Sequence, residues 1–154
     1  PRKGVFVVRK PKCEILQMIT VWAALESMAA RLITLHASDE EITSLRTLFA
    51  TPEGDHAEAN IDEYSDLNIR FHQAIIGMSK CDLLVEMADN LFIHMRAIRA
   101  KTISEDDRVS RSIIDHMNII EALEQRDTEL AEKLSRQHTL DLAAHVEKNV
   151  HYLD

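Results

Sequence analysis

Four histidines lie at a constant interval of 22 residues in the second half of the chain, at His72, His94, His116 and His138. The midpoints of these intervals fall on or beside segments that favour a break in the chain, namely Lys80–Asp82, Ser104–Asp107 and Arg126–Asp127. If the intervening segments are antiparallel helices, about 11 residues at a rise of about 1.5 Å place each histidine roughly 16 Å from its turn, level with the next. The interval therefore predicts helices of similar length and a layer of histidines that could hold a metal ion inside a helical bundle.

The composition is typical of a compact helical protein. The 154 residues include only three Gly and three Pro, with 45% hydrophobic and 29% charged residues. This length fits one domain with a substantial core. The net charge of −8 disfavours this chain as a nucleic-acid-binding surface, because neutralising a phosphate backbone requires clustered Lys and Arg. A local cation could still bind a small anion.

Cysteine usage and hydropathy favour a cytoplasmic protein without a membrane segment. Cys13 and Cys81 are too few for a disulfide framework and predict free thiols in a reducing compartment. We find no apolar run that approaches the ~18 residues of a membrane span. The apolar segment at residues 4–8 is too short for the core of a signal peptide.

Residues 1–11 differ from the rest of the chain. They are basic and β-branched, contain a glycine, and predict a turn with a short strand before Pro11. A single strand has no partner in a helical chain, so we interpret residues 1–11 as the remnant of a neighbouring domain. Residues 12–154 then form the helical domain.

Apolar residues recur every three or four positions in six successive segments, which predicts an all-α antiparallel bundle of six or seven helices. Ser38–Glu41 has the form of a capping box and opens the second helix. The predicted helices cover about 13–36, a segment from 39 to about 49, about 57–78, 82–103, 107–125, and a segment that begins near 127.

Several polar residues fall inside these apolar stripes. His94, His116 and His138 occupy core-facing positions, and Asn68 and His72 lie one helical turn apart on the same face of the third helix. A buried imidazole or amide costs free energy unless it has a partner. A divalent metal would be that partner for several histidines at once, and imidazole suits Zn, Cu, Fe or Ni.

Other interpretations of these histidines remain open. A single histidine on an apolar face is more often a satisfied core residue, and the group could belong to a metal-free interaction bundle. Three histidines with an open position also describe catalytic zinc, although no carboxylate is obviously placed as a general base. His94 is the weakest member, because it could line a pocket, face a neighbouring helix or reach solvent.

An ordered set of motifs resembles the effector-binding domain, or FCD domain, of the FadR subgroup of GntR-type transcription regulators. The resemblance covers nearly the whole chain. The residues that carry it are Leu25-Glu26 with Ala29-Ala30-Arg31-Leu32, then Asn68-Ile69-Arg70-Phe71-His72, Ser112-Ile113-Ile114-Asp115-His116, and Ala131 with His138.

The resemblance implies a divalent metal ion held by Asn68, His72, His116 and His138. Zinc is the first expectation, with Ni, Mn or Fe as alternatives. Many members of the family have Asp where this chain has Asn68. Four neutral ligands would leave the ion its full charge, which should weaken metal binding but strengthen attraction for an anionic effector.

The resemblance also directs attention to residues that could contact the effector. Many members carry an Arg where this chain has Trp22, four residues before Glu26. Arg96 and Arg99, near His94 on the fourth helix, are substitute candidates for binding the effector's carboxylate. The alternative interpretation, with equal weight, is that both arginines are exposed on the helix surface.

By this resemblance the chain is expected to be a sensing domain rather than an enzyme. A small organic acid would bind at the metal and alter DNA binding by a missing N-terminal winged helix-turn-helix domain, which alone would contact operator DNA. Residues 4–7 resemble the wing strand of that domain. The family and the two-fold symmetry of operators imply a homodimer, formed through the first or the fourth helix.

Overall fold

The computed structural model describes residues 10–49, 61–102 and 108–149, and these residues form six α-helices without a strand. The predicted all-α fold is confirmed. The predicted wing strand falls within residues 1–9, which lie outside the described residues. The helices are α1 (Lys12–His36), α2 (Asp39–Thr47), α3 (Ile61–Met78), α4 (Asp82–Thr102), α5 (Arg108–Glu124) and α6 (Thr128–Asn149).

The first helix, α1, is the centre of the bundle and contacts α3, α4, α5 and α6. Its most extensive contact is with α6. The Thr34 and Thr128 hydroxyls lie 2.8 Å apart, and the hydroxyl of Ser135 donates to the carbonyl of Glu26 over 3.4 Å. In these contacts a later residue of α1 faces an earlier residue of α6, so the two helices are antiparallel.

Two basic residues fix the C-terminal end of α1. Lys80 and Arg126 lie in the turns just after α3 and α5 respectively, and both have the left-handed backbone that favours glycine, with φ of 54° and 56°. The ammonium of Lys80 donates to the carbonyl of His36 over 3.2 Å. Arg126 donates to the carbonyls of Ile33, Thr34 and Ala37. These carbonyls belong to the last turn and the cap of α1, where few helical partners remain, so both turns are tied to α1.

The buried face of α4 differs from the predicted stripe. The prediction placed Leu84, Met87, Leu91, His94 and Ile98 toward the core. Leu84 is buried, and Leu91 and Ile98 pack against the core partly buried, but Met87 is exposed. The other buried residues of α4 are Ala88, Met95, Arg99 and Thr102, while Leu83 and Ile93 are exposed. Part of the most apolar surface of α4 therefore faces outward, and a buried arginine faces the core.

By length and composition alone, α1 is apolar enough to cross a membrane, which the sequence analysis did not recognise. Half of its most apolar window is buried inside the bundle, and the helix carries the fully buried Glu26. Its packing against four other helices is that of a core helix.

Candidate metal and effector site

Three of the four predicted metal ligands meet in the bundle core. His72, His116 and His138 come from α3, α5 and α6, and one ligating nitrogen from each lies within 4.8 Å of the others. The Nε2 atoms of His116 and His138 are 3.1 Å apart. Two nitrogens bound to one tetrahedral zinc lie about 3.4 Å apart, so these two imidazoles are close to the geometry of shared ligands.

The turn between α5 and α6 brings His116 and His138 together. The amide of Arg126 donates to the carbonyl of Leu123, and the amide of Asp127 donates to the carbonyl of Ala122, both over 3.0 Å. These two bonds are those of a Schellman motif, which ends a helix and reverses the chain. Residues equidistant from this turn return to the same height, as the histidine interval predicts.

His94 lies outside the histidine cluster. It is half-buried on α4, whose main neighbours are α1 and α3 rather than α5. The interval of 22 residues aligns histidines only where consecutive helices pack side by side. The interval therefore brings His116 on α5 level with His138 on α6, but it does not bring His94 on α4 to His116.

Two buried polar atoms beside the cluster lack a hydrogen-bond partner among the described residues. They are Oδ1 of Asn68 and Nε2 of His72, on residues that are each 2% exposed. A buried polar atom without a partner costs about 1–3 kcal/mol. A cation coordinated by the cluster would satisfy such atoms, and this set of nitrogen and oxygen donors suits a first-row divalent metal.

Glu26, on α1, is a site residue that the sequence analysis did not identify as one. Its Oε1 is in hydrogen-bonding contact with Nδ1 of His72. Its Oε2 accepts from the hydroxyl of Thr139 over 2.5 Å and lies 3.7 Å from Nη2 of Arg99. A carboxylate on one imidazole nitrogen orients the other nitrogen toward a metal, so Glu26 is a positioning residue for His72.

A sequence signal for Glu26 did exist. It lies four residues after Trp22 and seven after Ile19, both of which are buried. A carboxylate at this spacing falls inside an apolar stripe, which is the same argument that singled out the histidines.

Asp115, on α5, holds His138 in a similar way. Its Oδ2 lies 3.0 Å from Nδ1 of His138, which leaves Nε2 of that ring directed at His116. The Asp115 side chain is 42% exposed, unlike Glu26. The two acids bring negative charge close to a set of neutral ligands, so a bound cation would have anionic groups nearby.

Burial is the main cause of the pKa shifts at this site. It lowers the pKa of His72 and of His116 well below 6.5, and the nearby Arg99 and His138 lower both further. Burial raises the pKa of Glu26, although Arg99 and the Thr139 hydroxyl partly offset that effect. Neutral imidazole is the form that ligates metals, so burial prepares these rings for that role.

The residues predicted to contact an effector lie in different places. Arg99 is buried, pairs with Glu26 and donates to the Thr139 hydroxyl over 3.3 Å. Arg96 is exposed on α4. Trp22 is fully buried, with its ring centroid 6.2 Å from that of Phe92. Of the two arginines, only Arg99 belongs to the polar network around the histidines.

The structure defines an all-α domain with a buried three-histidine cluster. The FCD domain model matches residues 17–141, and the chain belongs to the FCD domain family. The chain is also similar to the HTH-type transcriptional repressor RspR of Escherichia coli strain K12, with 19% identity over 146 residues that cover 95% of this chain. An uncharacterised HTH-type transcriptional regulator of Shigella flexneri, YdfH, matches with the same identity and coverage.

The chain spans 64% of the length of these two relatives. Both are described as HTH-type transcriptional regulators. The family and these relatives together indicate a regulatory domain rather than an enzyme.

Proposed function

We propose that this chain is the effector-sensing domain of a bacterial transcription regulator of the GntR type, in the FadR subgroup. A divalent metal ion, held by His72, His116 and His138 with Asn68, binds a small carboxylate effector. The observation that carries this proposal is the convergence of three buried histidines on one point between α3, α5 and α6. The Oδ1 of Asn68, one turn from His72, has no hydrogen-bond partner among the described residues, which supports a fourth ligand.

Zinc is the metal that we favour, with Ni, Mn or Fe as alternatives. The neutral imidazoles and the short nitrogen–nitrogen separation suit a small borderline ion. Glu26 and Asp115 would orient His72 and His138 as ligands. When bound, the ion supplies a positive charge that can accept an oxygen of a carboxylate.

The charge around the cluster favours an anionic effector. Glu26 and Asp115 place two carboxylates beside the histidines, and the guanidinium of Arg99 compensates one of them. A bound dication therefore keeps a positive surplus inside a region where burial weakens screening by solvent. A small organic acid would neutralise that surplus, and its oxygen would complete the coordination shell.

The position of the site suits transmission to an N-terminal domain. The proposed ligands and Glu26 lie on four helices, α1, α3, α5 and α6. An effector that binds two arrangements of these helices with different affinity shifts the equilibrium between them. α1 follows residues 1–11, which we assign to the linker and wing of a winged helix-turn-helix domain that contacts operator DNA in the cytoplasm.

We further assign the exposed apolar stripe of α1 to a homodimer interface. Val21, Met28 and Leu35 are 48%, 45% and 58% exposed, with the half-buried Leu25 and Leu32 between them. The alternating spacing of four and three residues is that of a coiled-coil seam, which is self-complementary across a two-fold axis. A second copy of this chain is therefore the partner that we propose for this face.

Titration with a panel of small carboxylates tests the sensing proposal. We expect calorimetry to show that mono-, di- or tricarboxylates bind the zinc-loaded chain. After a chelator removes the metal, the same acids should bind at least about tenfold more weakly. Binding should proceed without turnover. Equal affinity with and without metal, or conversion of the acid to a product, would contradict the proposal.

A further inference from the structure

A cavity of about 340 Å³ opens where α5 begins and α6 ends. Of the three clustered histidines, only His138 lines it, together with its partner Asp115. The cavity therefore adjoins the outer edge of the cluster and is distinct from the point on which the three histidines converge.

Cations from both helices line this cavity. Arg108 and Arg111 come from the first turn of α5, and Lys148 comes from the last turn of α6. Cations at the start of a helix add to the positive end of the helix dipole instead of offsetting it, and α5 has no acidic residue in its first turn. Within the described residues, Arg111 and Lys148 make no hydrogen bond or ion pair. In a chain of net charge −8, this concentration of positive charge favours an anionic ligand.

The two carboxylates that also line the cavity have partners inside the protein. Asp115 lies 3.0 Å from Nδ1 of His138. Asp141 accepts a hydrogen bond from the side-chain amide of Gln137 over 2.7 Å. Both acids keep their charge in these contacts, so the three cations that line the cavity exceed its two carboxylates by one, and Arg111 and Lys148 remain available to a ligand.

We propose that this cavity binds a small doubly charged oxyanion, of the phosphate or short dicarboxylate class, at a site separate from the metal. The anion pairs with Arg111 and Lys148, and its charge repels the neighbouring carboxylate of Asp115. Because Asp115 also holds His138, occupancy of the cavity alters how firmly this histidine is oriented for the metal. Binding at the two sites is then coupled in both directions. The coupling rests on the proposed metal site, whereas the anion site does not.

Sulfate is a suitable probe, because it is a dianion that coordinates metals weakly. We would titrate the zinc-loaded chain with sulfate at constant ionic strength and follow backbone amide shifts by NMR. Shifts are expected at residues 108–112 and 145–149. The double variant Arg111→Gln, Lys148→Gln should bind sulfate at least about tenfold more weakly. Its matched control, Arg70→Gln with Lys133→Gln, removes two exposed cations outside the cavity and should bind as the unmodified chain does.

A His116→Ala variant separates this proposal from the metal site. It should lose the metal and still bind sulfate, since His116 does not line the cavity. Sulfate binding that disappears in His116→Ala and survives in the Arg111, Lys148 variant would place the anion at the metal and overturn the proposal. Failure of the unmodified chain to bind sulfate would overturn it too.

Discussion

At the scale of single residues, acids on neighbouring helices hold the histidines of the candidate site. Glu26 contacts Nδ1 of His72, and Asp115 contacts Nδ1 of His138. The neutral Asn68 is therefore only one part of the electrostatics at this site. The structure adds two carboxylates just behind the ligands, so the electrostatic effect of Asn68 is smaller than the ligand set alone implies.

Replacement of Glu26 by Gln tests its positioning role. The amide keeps the size of the side chain but removes the negative charge on His72, so we expect metal affinity to fall by about 10- to 100-fold. Competition with a chelating dye measures that affinity, and circular dichroism verifies the fold. Glu129→Gln, at an exposed position of α6, is the control and should leave metal affinity unchanged. Equal affinity in the two variants would exclude a positioning role for Glu26.

The buried imidazoles predict a pH-dependent stability of the metal-free chain. The folded state depresses the pKa of His72 and His116 far below 6.5, so below that pH the unfolded chain binds protons that the folded chain does not. The free energy of unfolding contributed by each neutral histidine should therefore be fully retained above pH 6.5 and fall progressively as the pH drops below it. Glu26 acts in the opposite direction, because its raised pKa lets the folded chain keep a proton above pH 4.5.

Urea unfolding in the presence of a chelator, at about pH 7.5 and about pH 5.5, measures this dependence. His116→Gln removes one of the two imidazoles and should reduce the dependence on pH. Equal stability of the unmodified chain at both values would contradict the assignment of neutral, buried histidines.

The histidines of the cluster could be predicted because imidazoles at core-facing positions conflict with the apolar pattern. Glu26 satisfies the same criterion, yet on the sequence it is one of many acids, and only the contact with His72 distinguishes it. Arg99 could not be placed for a related reason. Its burial depends on pairing with Glu26 across the bundle, which no local pattern contains.

At the scale of helices, α4 shows the limit of hydrophobic periodicity. Its core face carries Ala88, Arg99 and Thr102, while Leu83 and Ile93 are exposed. Periodicity places the most apolar side of a helix toward the core, and that rule fails where the core contains a polar network. The predicted stripe of α4 was wrong at Met87, whereas Leu84, Leu91 and Ile98 pack at the core as predicted and His94 is half-buried.

The turn after α5 offers a test of how α1 is held. Both Arg126→Ala and Arg126→Gly remove the hydrogen bonds to the carbonyls of Ile33, Thr34 and Ala37. Alanine also retains the cost of a left-handed backbone, about 1 kcal/mol, which glycine avoids. Urea unfolding should show that both variants are less stable than the unmodified chain, with alanine lower than glycine by about that amount. An alanine variant as stable as the unmodified chain would show that these side-chain contacts contribute nothing.

At the scale of the whole molecule, the sequence predicted the all-α class and the succession of the six helices that the structure describes, but not their neighbours. The periodicity of apolar residues and the turn signals are local features of the sequence, so they can be recognised without knowledge of the fold. The central place of α1 depends on contacts such as that of Thr34 with Thr128, far apart in the chain. These contacts bring Glu26 to the histidines, and no spacing along the sequence encodes them.

The proposed dimer predicts that charge on the α1 stripe separates two copies. Met28→Glu places a carboxylate at a residue that is 45% exposed, so it should dissociate the dimer while leaving the fold intact. Analytical ultracentrifugation measures the change. Ile114→Glu, on α5 at a residue that is 58% exposed, is the control and should stay dimeric. A monomeric unmodified chain, or a dimer that persists in Met28→Glu, would contradict the α1 interface.

The metal content of the protein tests the central claim most directly. Chain purified without chelator should carry about one divalent ion per molecule, measured by elemental mass spectrometry. His94→Ala should keep that ion, because His94 lies outside the cluster. The double variant His116→Ala, His138→Ala should lose more than half of the metal. A double variant that retains most of its metal would contradict the proposed site.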